Sequence, residues 1–354
     1  MRISEMMPIL KAAIDKHMNV LIVGAPGVGK TDILRQVNAE LERELIVSHP
    51  SVEDPTVPGG LPWPVAEKRE ACFLPFGALA RAIKTTVKTT WFMDDLGQAT
   101  PSVQAGYMQL LHGGQVGEHT ISPLVTFVAA TNRREDRAGV SGLLEPVKSR
   151  FAMILNLDVH IDDWAVWAYQ NNIRPDIIGY LRYAPQHLLD FKATADLTQS
   201  PSPRTWAYAS KVMDLNLPEN LQEEGLAGAI GRATAADFCN FIKLAAEMPH
   251  PLSVIKDPLD APIPKNVAAL WALSEALVAH SKPDNFNAIL TYANRLFETK
   301  GEQGRREFYF VIAQSLSAKH GEKFRGSSAM HKELDNMDKA RLLLDSTELD
   351  SKKG

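Results

Sequence analysis

The stretch LIVGAPGVGKT, residues 21–31, decides the fold. Leu21, Ile22 and Val23 read as the end of a buried strand, three glycines follow at 24, 27 and 29, and Lys30 and Thr31 open a helical pattern. Gly24, Gly27 and Gly29 let backbone N–H groups close around phosphate oxygens, Lys30 carries a charge to the β and γ phosphates, and the Thr31 hydroxyl suits Mg²⁺. A plain glycine turn at a strand end has no use for the Lys-Thr pair, so phosphate binding is the reading adopted. The candidate binding segment is Gly24, Ala25, Pro26, Gly27, Val28, Gly29, Lys30, Thr31 and Asp32.

Around this loop the first 157 residues alternate β-rich runs with helical stretches, the pattern of a doubly wound α/β domain. Five strands are expected at Val20–Val23, Leu45–Ser48, Thr90–Met93, Leu124–Ala129 and Phe151–Leu155. Helices fit Ile3–Lys16, Asp32–Arg43, Gly77–Lys84, Ser102–Leu111 and Gly142–Lys148. Two Pro- and Gly-rich stretches, within residues 50–76 and 113–123, interrupt the rhythm as surface loops or hairpins. Beyond residue 158 apolar residues recur only at helical spacing. The expected organisation is an α/β core over 1–157, a helical lid over 158–217 whose core holds Trp164, Trp167 and Tyr169, a further helical region over 218–320, and a charged tail over 321–354.

The stretch WFMDDLGQA, residues 91–99, runs from an apolar strand into two adjacent acids. Unpaired buried carboxylates cost several kcal/mol, so this pair is expected to face a cation, a water or a ligand. In a P-loop nucleoside triphosphatase the first acid of such a strand holds Mg²⁺ and the next orients or deprotonates the attacking water. Asp94 takes the metal role with Thr31, and Asp95 the base role. The alternative for Asp95 is a helix cap on the residues from Leu96 onward.

From here the chain resembles the AAA+ superfamily, whose landmarks recur in order. LVTFVAATN (124–132) resembles the sensor 1 strand, ending on Asn132; GLLEPVKSRF (142–151) resembles the arginine-finger segment, with Arg150 reaching a neighbouring subunit's ATP; SPRTW (202–206) resembles sensor 2, with Arg204 on the γ-phosphate. Arg133, Arg134 and Arg137 are rivals for the finger role. The usual acid after the metal-binding Asp is Glu in this superfamily, and Asp95 is one methylene, about 1.5 Å, shorter. The resemblance also implies adenine contacts near Lys16, His17 and Met18, and a polar residue near Ser48 or His49 that restrains the catalytic acid.

Within the superfamily the chain is most similar to a compact bacterial and phage subgroup of MoxR-type ATPases. The residues carrying this are EDPTVPGGLP (53–62), DDLGQATPSVQAGYMQLLHGG (94–114), TNRREDRAGV (131–140) and DDWAVWAYQNNIRPDIIGYLR (162–182), with specific motifs over about 18–215. The resemblance implies an ATP- and Mg²⁺-dependent ring, a hexamer, that remodels a protein and works with a von Willebrand factor A type partner. Residues 59–74 and 113–123 then become candidates for partner contact, with Trp63 open to two readings, an exposed anchor or a ring tucked against its own loop.

The formal net charge is −4 over 354 residues. In the loop at 59–74 Lys68 and Arg69 are balanced by Glu67 and Glu70, and the loop at 113–123 has no Lys or Arg. These features weigh against a nucleic-acid-dependent motor, which must neutralise phosphates. A small-molecule kinase leaves Arg150 unexplained, whereas a nucleotide-regulated scaffold with slow turnover would follow if Asp95 were too short. Two distant cysteines, no leader-like segment and no membrane-length apolar run point to a cytoplasmic chain without a disulfide framework.

Overall fold

The computed structural model describes residues 1–65, 70–136, 142–194, 196–298 and 305–334. The chain divides into two compact units, Met1–Val159 with Phe191–Ala195, and the rest from His160 onward.

In the first unit, α1 (Ile3–Asp15) precedes β1 (Val20–Gly24), α2 (Lys30–Glu40) and β2 (Glu44–Ser48). The hairpin β3 (Leu61–Val65) and β4 (Glu70–Leu74) is followed by α3 (Gly77–Lys84), β5 (Thr89–Met93) and α4 (Pro101–Gly113). A second hairpin, β6 (Gln115–Val116) with β7 (His119–Thr120), leads to β8 (Val125–Thr131), the short α5 (Glu145–Lys148) and β9 (Met153–Leu157). Five of these strands form one parallel sheet in the order β2-β5-β8-β1-β9. The expected five-stranded P-loop α/β core, with two inserted hairpins and a helical region after it, is the fold observed.

Every residue of β5 and β8 is buried, as both faces of an interior parallel strand require. Trp91, wholly buried on β5, packs against Tyr107 and Phe127 at 6.1 and 5.8 Å between ring centroids. Its indole N–H donates to Ser48 Oγ on β2 at 2.9 Å, which gives a buried donor its required partner. β1 sits between β8 and β9, yet the next strand, β2, lies at the far edge. Such reversals of strand order open a crevice at the carboxyl ends of the strands, where α/β folds bind ligands.

Two expected elements are corrected. The helix expected over Gly142–Lys148 begins only at Glu145, because Pro146 sits in its first turn and Gly142 takes a left-handed φ of 96°. The last strand begins at Met153 rather than Phe151, since Phe151 N–H is still bonded back to Lys148 O at 3.2 Å.

The second unit is helical: α6 (Ile161–Gln170), α7 (Pro175–Tyr183), α8 (Pro203–Met213), α9 (Glu219–Ile230), α10 (Arg232–Ala245), α11 (Pro251–Lys256), α12 (Val267–Ala279), α13 (Phe286–Glu298), α14 (Arg306–His320), α15 (Glu322–Arg325) and α16 (Ser328–Leu334). Tyr180 of α7 lies 5.5 Å from the ring of Trp206 on α8 and 5.2 Å from Phe238 on α10, so helices from either side of residue 217 share one packed layer. Trp164 is buried in α6, and Phe324 and Ala329, from the stretch expected to open a charged tail, enter the apolar core. Met337 and Leu344, further along that stretch, lie outside the described residues.

A charged knot ties four of these helices. Glu275 of α12 is fully buried, its Oε1 lies 2.9 Å from Arg182 Nε of α7, and Tyr169 of α6 donates its hydroxyl to Oε2 at 2.6 Å. Arg182 continues to Asp162 at 2.8 Å and to Ser315 of α14 at 3.3 Å. Burial pushes the Glu275 carboxyl up from its ordinary range while Arg182 opposite pulls it down. Glu275→Ala removes the buried partner of Arg182 and leaves it only the half-exposed Asp162 carboxylate, and is expected to cost about 3–5 kcal/mol, read as a lower denaturation midpoint. An unchanged midpoint would show that the knot adds nothing to stability.

Among the described residues no helix is long and apolar enough to cross a membrane.

Candidate nucleotide-binding and hydrolysis site

Three neighbouring strands deliver the site. β1 ends at the glycine loop, β5 ends one residue before Asp94, and β8 ends one residue before Asn132. Because the strands are parallel and in register, with Met93 opposite Ala129 and Val23 opposite Thr131, these three ends emerge on one edge of the sheet.

The loop has the shape its composition implies. Gly27 and Gly29 take positive φ of 76° and 93°, which side chains with a Cβ resist. A Cβ built on Gly29 would meet no atom within 4 Å, so the space beside the loop is open. α2 starts at Lys30 with no side-chain cap, leaving the first N–H groups of an 11-residue helix available to an anion. Ala25 and Val28 are buried beneath the loop and anchor it, while Pro26 is half-buried. Asp32 turns outward to an exposed ion pair with Arg35 at 2.9 Å, so its share in this segment is its backbone N–H.

Lys30 is only 6% exposed and its ammonium donates to Gly24 O, Ala25 O and Asn132 Oδ1 at 2.9, 3.0 and 2.7 Å. Its charge is thus held at the mouth of the loop by acceptors. With Oδ1 accepting from Lys30, the other end of the Asn132 amide is a donor. Thr31 Oγ1 donates to Asp94 Oδ2 at 2.6 Å, which puts a hydroxyl and a carboxylate side by side from two segments of the chain. A hydroxyl, one carboxylate and phosphate oxygens form an oxygen-only donor set of the kind Mg²⁺ prefers, so the residues present fit a nucleotide with its metal.

Asp95 is half-buried and left-handed, with φ 57° and ψ 36°. Apart from Asn and Gly, Asp is among the few residues that enter this region readily. Asp95 stands at the cap position of a short 3-10 turn, Leu96–Gln98, but its side chain caps no backbone N–H. Its Oδ1 accepts instead from Gln98 Nε2 at 2.8 Å.

The polar residue expected to restrain this acid is not found at Ser48 or His49. Ser48 Oγ is engaged by Trp91, and His49 is exposed, its backbone N–H donating to Glu53 at 3.2 Å. Nor do Lys16, His17 and Met18 approach the nucleotide edge. His17 Nδ1 pairs with Thr126 Oγ1 at 3.0 Å, at the amino end of β8, whereas Asp158 N–H, just past the carboxyl end of β9, donates to Met1 O at 2.9 Å. A 13-residue helix such as α1 spans about 20 Å between those ends. It is therefore the start of α1, not its finish, that borders the phosphate edge.

Arg150 is half-buried; its Nη1 donates to Ser149 Oγ at 3.3 Å and its Nε is buried with no hydrogen-bond partner among the described residues. Among the described residues no carboxylate pairs with it. Arg133, by contrast, is clamped by Asp136 at 3.0 and 3.1 Å, and that pairing holds its guanidinium pKa above the ordinary value. Arg134 is exposed, and Arg137 lies outside the described residues. Arg204 belongs to the second unit, exposed on the first turn of α8, which a Ser202–Thr205 capping box secures.

Two glutamines escaped the sequence reading. Gln98 is the partner of Asp95. Gln104, fully buried, donates to Ala99 O and Gly142 O at 3.0 Å each and accepts from Leu144 N–H at 3.0 Å, linking the turn after Asp95 to the segment that leads into Arg150. The signal was available for Gln104: it precedes Tyr107 and Leu111 by three and seven residues, on the helix face that should be apolar.

No family model matches the chain, and no curated protein matches it. Among solved structures it is similar to the RuvB Holliday junction branch migration motor of Thermotoga maritima, at 17% identity and a TM-score of 0.40, covering 78% of this chain and 80% of that one. It is also similar to NtrX from Brucella abortus in complex with ADP, at 12% identity and a TM-score of 0.41, covering 94% and 67%. Likenesses this distant say nothing about the chemistry of this chain, which its own side-chain geometry must carry.

Proposed function

We propose that this chain is an ATPase of the AAA+ superfamily, of the MoxR type, that forms a ring and remodels a partner protein. The observation that carries the reading is the convergence of Lys30, Thr31, Asp94, Asp95 and Asn132 at the ends of three adjacent strands. The glycine loop and the α2 amides would hold the phosphates, and Lys30 would exchange its carbonyl and amide acceptors for β- and γ-phosphate oxygens. Thr31 and Asp94 would hold Mg²⁺, which would supply charge stabilisation to the phosphate oxygens. Asp95 accepts the proton of the water whose oxygen attacks the γ-phosphorus, as the bond to the ADP oxygen breaks. The amide N–H donors of Asn132 orient that water or the γ-phosphate. Arg204 acts as the sensor 2 arginine of the lid.

Arg150 supports the ring. An arginine without an acid partner and with a buried, unsatisfied Nε suits a charge completed by a neighbouring subunit, and Arg133 is already neutralised by its own Asp136. A hexamer is the size the resemblance implies. The hairpin formed by β3 and β4 exposes Leu61, Trp63, Phe73 and Leu74, each roughly half open to solvent, with Trp63 at 53%. That apolar face favours a protein over a nucleic acid, and a von Willebrand factor A type domain is the partner the resemblance implies. Glu67, Lys68 and Arg69, whose charges come to balance only with Glu70, lie outside the described residues.

The test is subunit mixing. Neither Arg150→Ala nor Lys30→Ala rings should hydrolyse ATP, but mixed rings should recover a measurable fraction of the wild-type rate, since some interfaces then pair an intact loop with an intact finger. Mixing verified by mass measurement without any recovery would remove Arg150 from the trans role. Salt-sensitive DNA binding with DNA-stimulated turnover would favour the nucleic-acid motor instead.

A further inference from the structure

We infer that Gln98 is the positioning residue for the Asp95 carboxylate, doing at this site what no residue of β2 does. The inference rests on the proposed ATPase activity and adds the group that aims its base.

Four observations meet here. Gln98 Nε2 lies 2.8 Å from Asp95 Oδ1. Its backbone N–H also donates to Asp95 O at 3.0 Å, so both ends of Asp95 are tied to one residue. Asp95 is left-handed and stands at the cap position of the 3-10 turn that holds Gln98. The remaining Gln98 atom, Oε1, is buried with no hydrogen-bond partner among the described residues.

The amide can be oriented only one way. Reversing it would place Oε1 against a carboxylate oxygen, two acceptors in contact, and lose the one side-chain bond that Gln98 makes among the described residues. The bond to Asp95 is thus the interaction that fixes the Gln98 amide among the described residues. With Oδ1 occupied, Oδ2 is the oxygen left to accept from a water. A base oriented by a third group is the general arrangement for an effective one.

This also accounts for Asp where the superfamily usually has Glu. A left-handed backbone accepts Asp more readily than longer side chains. A Glu at this position would carry its carboxylate beyond the reach of Gln98 as now placed.

The test compares Gln98→Met, Gln98→Glu and Asp95→Glu with the wild-type chain, reading kcat, KM, affinity for a non-hydrolysable ATP analogue and thermal midpoint. Met matches the length of Gln and deletes the unpaired Oε1, so a merely structural role predicts an unchanged or higher midpoint and unchanged kcat. The positioning role predicts that Gln98→Met lowers kcat about ten- to hundredfold with KM and analogue affinity within about twofold, the scale of a small misplacement of a reacting group. Gln98→Glu, the same length without the donor, should fall at least as far. Asp95→Glu should also lower kcat, although it restores the superfamily's usual acid.

If Gln98→Met retains wild-type kcat, or raises it, Gln98 does not aim the base and the inference is overturned while the ATPase reading stands. If the wild-type chain binds the analogue but shows no turnover, the ATPase reading itself fails and this inference with it.

Discussion

Lys30→Ala is expected to abolish measurable nucleotide binding while leaving the chain folded. In the structure the ammonium is buried and held by Gly24 O, Ala25 O and Asn132 Oδ1, three acceptors that can release it to phosphate oxygens. Removing a buried, hydrogen-bonded charge from such an interface costs about 2–5 kcal/mol, or roughly thirty- to several-thousandfold in affinity. Calorimetry or a fluorescent nucleotide would measure it. The fold should survive, because Lys30 is the first residue of α2 and Ala is the strongest helix former. A variant that bound ATP within about threefold of wild type would mean that the loop amides carry the affinity, and the lysine would lose its assigned part.

Asp95→Asn is expected to separate binding from turnover. Asn enters the left-handed region as readily as Asp and keeps a carbonyl oxygen to accept from Gln98, so the turn at Leu96–Gln98 should persist. What it cannot do is take a proton. General-base catalysis is worth about 10²- to 10⁴-fold, so kcat should fall by that range with nucleotide affinity within about twofold. Single-turnover hydrolysis beside equilibrium binding distinguishes the two effects. Hydrolysis at the wild-type rate would move the base to another group. The same variant, held in its ATP state, is the reagent with which to test for the partner that the proposed remodelling requires in the native host.

Most of the candidate site was legible because its parts are local. The loop from Gly24 to Thr31, the acids after the β5 strand and Asn132 after β8 each announce themselves by residue type next to an apolar run, and parallel strands in register bring such ends to one edge. The five strands differ from their expected bounds by only a residue or two. Where the reading misplaced an element, as with the helix expected from Gly142, a proline and a left-handed glycine had outweighed apolar spacing. Lys16–Met18 went to the wrong edge for a different reason: proximity in sequence to β1 says nothing about which end of the strand a preceding helix leaves exposed.

The residues that act through others were not legible. Gln98 and Ser48 are both polar residues near an acidic strand, and nothing in their order says that Ser48 serves the indole of Trp91 while Gln98 serves Asp95. The Arg182–Glu275 pair joins positions ninety-three apart in number and unites helices that the sequence divides between two regions.

By itself, then, the amino-acid sequence determined the P-loop α/β core, the candidate phosphate and metal ligands and the order of the landmark residues, since these depend on strand pattern and on chemistry carried by adjacent residues. Tertiary structure alone decided that Arg133 is spent on Asp136, that Arg150 is without an acid among the described residues, and that Asp95 is left-handed and bound to Gln98. Side-chain partners are chosen by packing and by the need to satisfy each buried donor and acceptor, and that choice is made only when distant segments meet.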